Sequence, residues 1–354
     1  MSLLTRVTES YGGLRQVLAD PRRKALGRIV REAADVARRT GAYPEWYFLN
    51  FAYRRDAGDH TAYLHRGQYR RLMREMRRRE NFAVLEDKLR FRERLRGTSV
   101  RLPRLLAHNE GATFRVGEEG RHVGDGRAFA ALVGGLLARS AAGSVFAKPV
   151  EGRKGYGCRR VDGATAAAEL AALHAETVAQ RFLFEETLVQ HPALAAIFPG
   201  SVNTVRVLTC GEPSAPPAAI AAILRLGVGR HAVDNASQGG IFVGVDLATG
   251  RLFPQARRFF KHGGDVHAAH PDTGFRFEGT EVPRYAEVLA AAEGAAAHVP
   301  HDLIGWDVAV TEAGPVVIEG NALPHLPMME IGLGRGLMAH PSFRRLCERV
   351  AAAA

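Results

Sequence analysis

Between residues 14 and 39, the apolar positions Val17, Leu18, Ala25, Leu26, Ile29, Val30, Ala33, Ala34 and Ala37 recur near the spacing of one helix face. Pro21, one residue after Asp20, suits a cap followed by a first-turn proline, and Gly41 with Pro44 ends the segment. A second helical stretch runs from Tyr63 to Arg96 with Leu72, Met73, Met76, Phe82, Leu85, Leu89, Phe91 and Leu95 as its apolar contacts, and Pro103 closes it. The first 96 residues therefore read as helix. From about residue 100 the texture changes. Short β-branched runs at 113–116, 144–150, 201–209, 218–226, 241–246, 303–311 and 315–319 alternate with helical stretches at 127–139, 164–179 and 282–298. Gly211 to Pro217 reads as the tip between two strands. The pattern predicts an α+β fold behind a helical region, with no internal repeat.

The segment from Ile304 to Asn321 reads as a β-hairpin. If its loop is Glu312-Ala313-Gly314, with Gly314 in the left-handed position of a three-residue turn, Thr311 pairs with Pro315 and Asp307 lies opposite Glu319. Asn321 follows two residues later on the same face. A four-residue loop would separate the two acids onto opposite faces. Like charges directly opposite each other destabilise an ordinary sheet, and a divalent cation relieves that cost. Hard oxygen donors suit Mg²⁺, which also keeps phosphate oxygens as ligands. Trp306, Val308, Val310, Val316 and Ile318 are expected to bury the other face, leaving the acids without a basic neighbour.

Upstream, Ser144 to Cys158 reads as a strand running into a loop with Gly152, Gly155 and Gly157. Lys148 at the strand end can meet a phosphate as a point charge, and the glycines let backbone N–H groups close over phosphates. The spacing matches neither a Walker loop nor a dinucleotide fingerprint. Arg181 to Thr187 is a short strand ending in the paired acids Glu185 and Glu186. Two further strands carry Arg206, on one face with Thr204, and Arg225. An arginine within an apolar strand needs a partner, either an anionic ligand or a structural carboxylate. Asp234 through Gly240 supplies another polar, glycine-rich loop.

The formal net charge of +11 is unevenly placed: residues 1–96 hold 23 Lys and Arg against 12 Asp and Glu, while residues 97–354 hold 25 of each. Clusters such as Arg22-Arg23-Lys24 and Arg77-Arg78-Arg79 raise nucleic acid, a membrane face or another anionic polymer as partners, with a solvated helix face as the simpler alternative. Only five of the 48 basic residues are lysines, namely Lys24, Lys88, Lys148, Lys154 and Lys261, so each merits attention. Three scattered cysteines argue against a disulfide framework or a Cys-rich zinc site. No apolar run reaches the roughly 18 residues of a membrane span, and the amino terminus lacks a secretory pattern, so a cytoplasmic protein is expected.

Taken in order, these elements resemble the ATP-grasp superfamily: Phe-Ala-Lys148-Pro and its glycine loop, Glu185-Glu186, Asn-Thr-Val-Arg206, Leu-Arg225, Asn235 through Gly240, Asp307 and Glu319-Gly-Asn321. The succession is similar to the ribosomal-protein glutamate ligases. With His191-Pro, His270-Pro-Asp-Thr-Gly274 and Ile304-Gly-Trp-Asp307 added, it is closer still to the sugar-transfer-associated ATP-grasp proteins, over about residues 81–335. The resemblance implies an ATP-grasp fold, two α+β subdomains gripping ATP: a basic helical region 1–96, a small subdomain 97–190 with the glycine-rich lid, and a large subdomain 191–354 with the metal and catalytic face.

Residue by residue, it implies Lys148 on the α/β phosphates, Lys154 with Gly152, Gly155 and Gly157 as the lid, and Glu185, Glu186 and Thr187 as the strand receiving adenine. Asn235 joins the ATP-binding set. Asp307, Glu319 and Asn321 would hold Mg²⁺, two ions in all, with Mn²⁺ as the alternative metal. Arg206 and Arg225 would stabilise the γ-phosphate and an acyl phosphate. Gln190 or His191 stands where a ribose-contacting acid is usual. The implied activity is an ATP-dependent carboxylate–amine ligase acting on a small-molecule or glycan-linked carboxylate and an amine, in polysaccharide or glycoconjugate biosynthesis. The rivals are a kinase or phosphohydrolase at the same site, and a nucleic-acid- or anionic-polymer-binding protein with a degenerate nucleotide site.

Overall fold

The structure is a computed structural model that describes residues 14–152, 155–213, 215–229, 234 and 236–353. Its strands form two antiparallel sheets. The smaller contains β1 (Leu105–Glu110), β2 (Thr113–Val116), β3 (Glu119–His122), β4 (Ser144–Pro149), β5 (Arg159–Asp162) and β6 (Phe182–Glu186), in the order β3-β2-β1-β6-β4-β5. Helices Gly126–Arg139 and Ala167–Ala179 cover one face, where Phe129, Val133, Leu136 and Leu173 pack with Phe114 and Phe184. The larger sheet contains β7 (Thr204–Glu212), β8 (Ala215–Leu226), β9 (Ile241–Val245), β10 (Leu252–Arg257), β11 (Val266–His267), β12 (Leu303–Thr311) and β13 (Gly314–Asn321), in the order β11-β10-β9-β8-β7-β12-β13.

Alternation along the central strands assigns the two faces of the larger sheet. Val205, Val207, Ala222, Leu224, Trp306 and Val308 point to a core shared with Val288, Ala292, Ala295 and Ala296 of helix Tyr285–His298. On the opposite face, Leu208, Ile223 and Leu303 join a second core that includes Tyr47, Phe51, Tyr53, Leu72 and Met76 from the amino-terminal helices. Helix Pro341–Ala352 adds Phe343, Leu346 and Val350 to that core. The amino-terminal helices thus complete the core over the larger sheet. Among the described residues, no helix is long and apolar enough to cross a membrane.

Several boundaries differ from the sequence expectation. The stretch 14–39 is two helices: residues 14–19 are helical, the chain turns at Pro21, and Leu26–Thr40 starts afresh behind Ala25. Asp20 is therefore no helix cap for that second segment. Its buried carboxylate instead accepts hydrogen bonds from Arg22 N (2.9 Å), Tyr53 Oη (2.9 Å) and Arg54 Nε (2.6 Å). The Arg-rich stretch breaks into Arg66–Arg77, Phe82–Glu86 and Lys88–Arg94. Strands β1, β3 and β5 carry no apolar alternation to announce them. β3 and β5 lie at sheet edges, where charged residues are tolerated and the backbone ladder alone holds the strand.

Glu330, in helix Leu326–Leu333, ties the amino-terminal region to the carboxyl-terminal one. Its carboxyl group accepts from Leu64 N (2.9 Å), Leu337 N (3.0 Å) and Asn50 Nδ2 (2.8 Å), and it is fully buried. Burial outweighs those three donors and pushes its pKa up to about 8. Between the ordinary glutamate range and that value, the folded protein holds a proton that the unfolded chain has released, so stability falls as pH rises through this window. Glu330→Gln, which keeps the shape but does not titrate, is expected to flatten that decline. Urea midpoints collected from about pH 5 to about pH 9 check this, and parallel wild-type and variant curves would contradict it.

Candidate functional site

Four adjacent strands of the larger sheet present one continuous polar row on the face that carries the amino-terminal helices. Arg225 comes from β8, Thr204 and Arg206 from β7, Asp307 from β12, and Glu319 and Asn321 from β13. Asp307 is registered opposite Arg206 on one side and Glu319 on the other. Arg206 grips Asp307 in a two-pronged pair, Nε to Oδ1 at 2.6 Å and Nη2 to Oδ2 at 2.5 Å. Arg225 Nη1 adds a third bond to Oδ2 at 2.8 Å, and its Nη2 reaches Asp234 Oδ1 at 3.0 Å. Asp234 Oδ2 accepts from Thr204 N (3.0 Å) and Thr204 Oγ1.

All four charged groups of this cluster are buried. Burial alone would raise the pKa of Asp307, but the guanidinium groups of Arg206 and Arg225 overcome it and hold the carboxyl far below the usual range. Asp234 goes the other way: burial, together with the neighbouring Asp307 charge, raises its proton affinity against the pull of Arg225. The expectation that the acid face lacks a basic partner is corrected here. Those partners come from β7 and β8, distant in sequence, so the hairpin alone could not reveal them.

The hairpin itself reaches the expected pairing by another route. Its turn is Glu312-Ala313, with Thr311 opposite Gly314, not the three-residue loop. A bulge at Ile318 then shifts the register between the Val308–Val317 and Asp307–Glu319 pairs. Bulges re-aim side chains in this way beside functional sites. Asn321 Nδ2 donates to Gly305 O (3.2 Å) and Glu319 Oε1 (3.3 Å), bringing the amide beside the second acid.

The smaller sheet supplies the facing wall. Lys148 is buried near the end of β4 and forms an ion pair of 2.6 Å with Glu185 Oε2, while Arg92 Nη1 bonds Glu185 Oε1 at 2.8 Å. Glu186 is held by Arg104 Nε (2.8 Å) and Ala141 N (2.7 Å). Both carboxylates of the pair are thus committed to protein cations or N–H groups. Thr187 Oγ1 is buried without a hydrogen-bond partner. The loop after β4 turns through Gly155 (φ +69°) and Gly157 (φ +74°), and a Cβ on Gly157 would stand 2.9 Å from Pro149 Cγ. Only glycine fits there. Lys154 and Asn235 lie outside the described residues.

A cavity of about 750 Å³ runs between the sheets. Lys148, Gly152, Gly155, Glu185, Glu186, Thr187, Arg206, Arg225, Asp307, Glu319 and Asn321 all line it. Gly157 is not among its lining residues, and neither are Gln190 and His191. Gln190 braces a loop through Phe198 O, Ser201 O and Asn203 N, and His191 caps helix Pro192–Ile197. The cavity also takes in residues to which the sequence reading gave no place in the site: Trp46, Tyr69, Met73 and Arg77 from the amino-terminal helices, Asp234, and Lys261. Lys88 lines it too, donating to Gly152 O at 3.2 Å. Scarcity was the one usable signal, since Lys88, Lys148 and Lys261 are three of the four lysines among the described residues.

The donor set fits a magnesium ion with a polyphosphate. Glu319 and Asn321 offer oxygens at the cavity surface, and Asp307 is kept ionised beside them. The unpartnered Thr187 Oγ1 and Arg225 Nε lie among the residues that line the cavity. Two antiparallel sheets enclosing such a cavity, with Lys148 and its glycine loop on one side and the Arg–Asp–Glu–Asn row on the other, constitute an ATP-grasp fold. The chain belongs to the family described as "Sugar-transfer associated ATP-grasp", which it matches over residues 68–344. That match begins inside the Arg-rich helix Arg66–Arg77, upstream of the expected start.

Among solved structures, the chain is similar to the ATP-grasp ligase PsnB complexed with its minimal precursor, at 18% identity over 77% of this chain and 62% of that one, with a TM-score of 0.40. The D-alanine–D-alanine ligase from Coxiella burnetii matches at 12% identity over 77% and 60%, with a TM-score of 0.43. D-alanyl-alanine synthetase A from Vibrio cholerae matches at 12% over 77% and 67%, with a TM-score of 0.46. The chain spans about three fifths of the length of the PsnB structure, 62%. No curated protein sequence matches it significantly.

Removing Asp307 tests the electrostatics of the row directly. Asp307→Ala leaves two buried guanidinium groups short of a carboxylate, a change expected to cost about 3–5 kcal/mol of stability. Phosphate at about 50 mM should recover part of the loss, because it offers the arginines a replacement anion. Urea unfolding with and without phosphate measures both effects, and a variant as stable as the wild type would contradict them.

Proposed function

We propose that the chain is an ATP- and Mg²⁺-dependent carboxylate–amine ligase working through an acyl phosphate. The observation that carries this reading is the row Arg225, Arg206, Asp307, Glu319 and Asn321 lining the same cavity as Lys148. Both reactants of the first step are anions, so their approach is slow unless fixed positive charge offsets the repulsion.

Lys148 serves the α/β phosphates; its ammonium has three N–H groups and can keep Glu185 while donating to phosphate oxygens. Gly152, Gly155 and Gly157, with Lys154, form the lid, and the segment Glu185-Glu186-Thr187 with Asn235 borders the nucleotide. Since both carboxylates are occupied, adenine has Thr187 and main-chain groups to meet, not a free acid. Asp307, Glu319 and Asn321 would hold the metal, as two Mg²⁺ ions or Mn²⁺ in their place. A metal held by these oxygens would supply positive charge to offset that of the phosphates.

Arg206 and Arg225 orient the γ-phosphate and the attacking carboxylate. The carboxylate oxygen bonds to the γ-phosphorus and ADP leaves. An amine then attacks the acyl carbon, phosphate leaves, and the amine gives up its proton. Closing the glycine loop keeps water from the acyl phosphate. The balanced charge of residues 97–354 leaves the anion-binding work to these few placed cations rather than to net charge. We place the reaction in the cytoplasm, on a small-molecule or glycan-linked acid and an amine, in polysaccharide or glycoconjugate assembly. Residues 97–190 and 191–354 act as the two gripping halves.

Calorimetric titration with ATP–Mg²⁺ and an ADP-release screen against acids and amines test the reading. ATP–Mg²⁺ is expected to bind, with Lys148→Met weakening it by about tenfold or more. ADP release should require both an acid and an amine and vanish in Glu319→Gln. A wild-type protein that ignores ATP–Mg²⁺ would sink the proposal. ADP release with an acid alone would favour a kinase or phosphohydrolase.

A further inference from the structure

We infer that the half of the cavity built by the amino-terminal helices is a subsite for the apolar body of an anionic substrate, so that the acid activated here is an acyl or aryl carboxylate rather than a sugar acid. This inference rests on the ligase reading for what happens to the carboxylate, but the subsite stands on its own geometry. Trp46, Tyr69, Met73, Phe259, Leu323 and Met328 surround it. The Trp46 and Tyr69 rings lie 5.1 Å apart at 48°, forming a tilted aromatic wall. Trp46, Tyr69, Phe259 and Leu323 pack by one side against the core over the larger sheet and turn the other side to the cavity.

Charge and hydrogen-bonding capacity narrow the ligand. The carboxylates lining the cavity among the described residues are Glu185, Glu186, Asp234, Asp307 and Glu319, all beside Lys148 or in the arginine row. Among the described residues, the basic side chains that line the cavity beyond Lys88, Lys148 and the arginine row are Arg77, Lys261 and His325. Among the described residues an ammonium ligand would meet no carboxylate there, whereas an anion would meet the Arg77 guanidinium. A sugar ring needs a hydrogen-bond partner for each hydroxyl it buries. Asn50 is the one amide at this end among the described residues, and its Nδ2 is already given to Glu330 at 2.8 Å. An apolar body loses nothing on entering and removes aromatic surface from water.

The placement follows from the fold. Thr204, Arg206 and Asp307 share their sheet face with Leu208 and Leu303, the strand positions that the amino-terminal helices cover. A helix region packed on that face necessarily ends against the reacting row. From Asn321 the chain passes Leu323 and His325 to Met328, linking the metal face to the apolar wall. An acid lying along this path puts its carboxylate toward Arg206 and its body against Trp46.

The test uses decanoate, decylamine and glucuronate as probes on the full chain, without nucleotide, with ATP–Mg²⁺ binding measured separately. Trp46 reports through fluorescence, because the other tryptophan, Trp306, is fully buried on the opposite face of the sheet. Decanoate should shift Trp46 emission saturably, while decylamine and glucuronate should not. By calorimetry, Trp46→Ala should weaken decanoate by about tenfold or more, with ATP–Mg²⁺ affinity unchanged. Arg77→Glu, at an exposed position, should weaken decanoate severalfold without disturbing the fold. Glucuronate binding as tightly as decanoate, decanoate indifferent to both substitutions, or a protein that binds ATP–Mg²⁺ but not decanoate would each overturn the inference. Decanoate binding without ATP–Mg²⁺ binding would uphold the subsite and sink the ligase reading.

Discussion

The buried ion cluster of Arg206, Arg225, Asp307 and Asp234 sets the terms for the rest of the structure. Four charged groups on neighbouring strands are costly to desolvate, and well-packed apolar residues would often serve stability as well. What the cluster provides is a rigid display: the bonds from Arg206 and Arg225 to Asp307 fix an ionised carboxylate at the edge of a cavity. Asp234 and Thr204 then fix Arg225 from behind. Such mutual bracing holds both guanidinium groups in one orientation, and charge fixed in place beforehand is what stabilises developing charge without reorganisation.

The same sheet face explains why the amino-terminal helices belong to the site. Alternation puts Leu208, Ile223 and Leu303 on the side of Arg206 and Asp307, and those apolar positions must be covered. Tyr47, Phe51, Leu72 and Met76 cover them, and the chain is tied down through Glu330 to Asn50 and Leu64. One packing requirement thus yields both a core and a cavity wall. Much of the basic charge is spent locally, in pairs such as Arg28 with Glu32, Arg66 with Glu45 and Arg79 with Asp302.

The legible parts of the sequence were those governed by local rules. The strands β2, β4, β7, β8, β9, β12 and β13 and the helices Gly126–Arg139, Ala167–Ala179 and Tyr285–His298 show their periodicity, and the order of motifs disclosed the fold family. The Asp307–Glu319 pairing was reached with the wrong turn, because a bulge at Ile318 made good the missing loop residue. A bulge leaves no mark in an apolar run. Arg92 was illegible for another reason: in an arginine-rich helix nothing distinguishes the one that meets Glu185. Trp46, Tyr69 and Met73 look like ordinary helix-face core residues until tertiary packing shows that a cavity borders them. Lysine, being scarce, did point to the site.

The central claim is that Asp307, Glu319 and Asn321 form a metal–phosphate face lining the same cavity as Lys148. The most direct measurement is a crystal structure with Mn²⁺ and a non-hydrolysable ATP analogue, using anomalous scattering to locate the metal. The account predicts anomalous density coordinated by oxygens of Glu319, Asn321 and Asp307, with the nucleotide phosphates between it and Lys148. Metal density away from these residues, or a nucleotide bound outside the cavity, would contradict it.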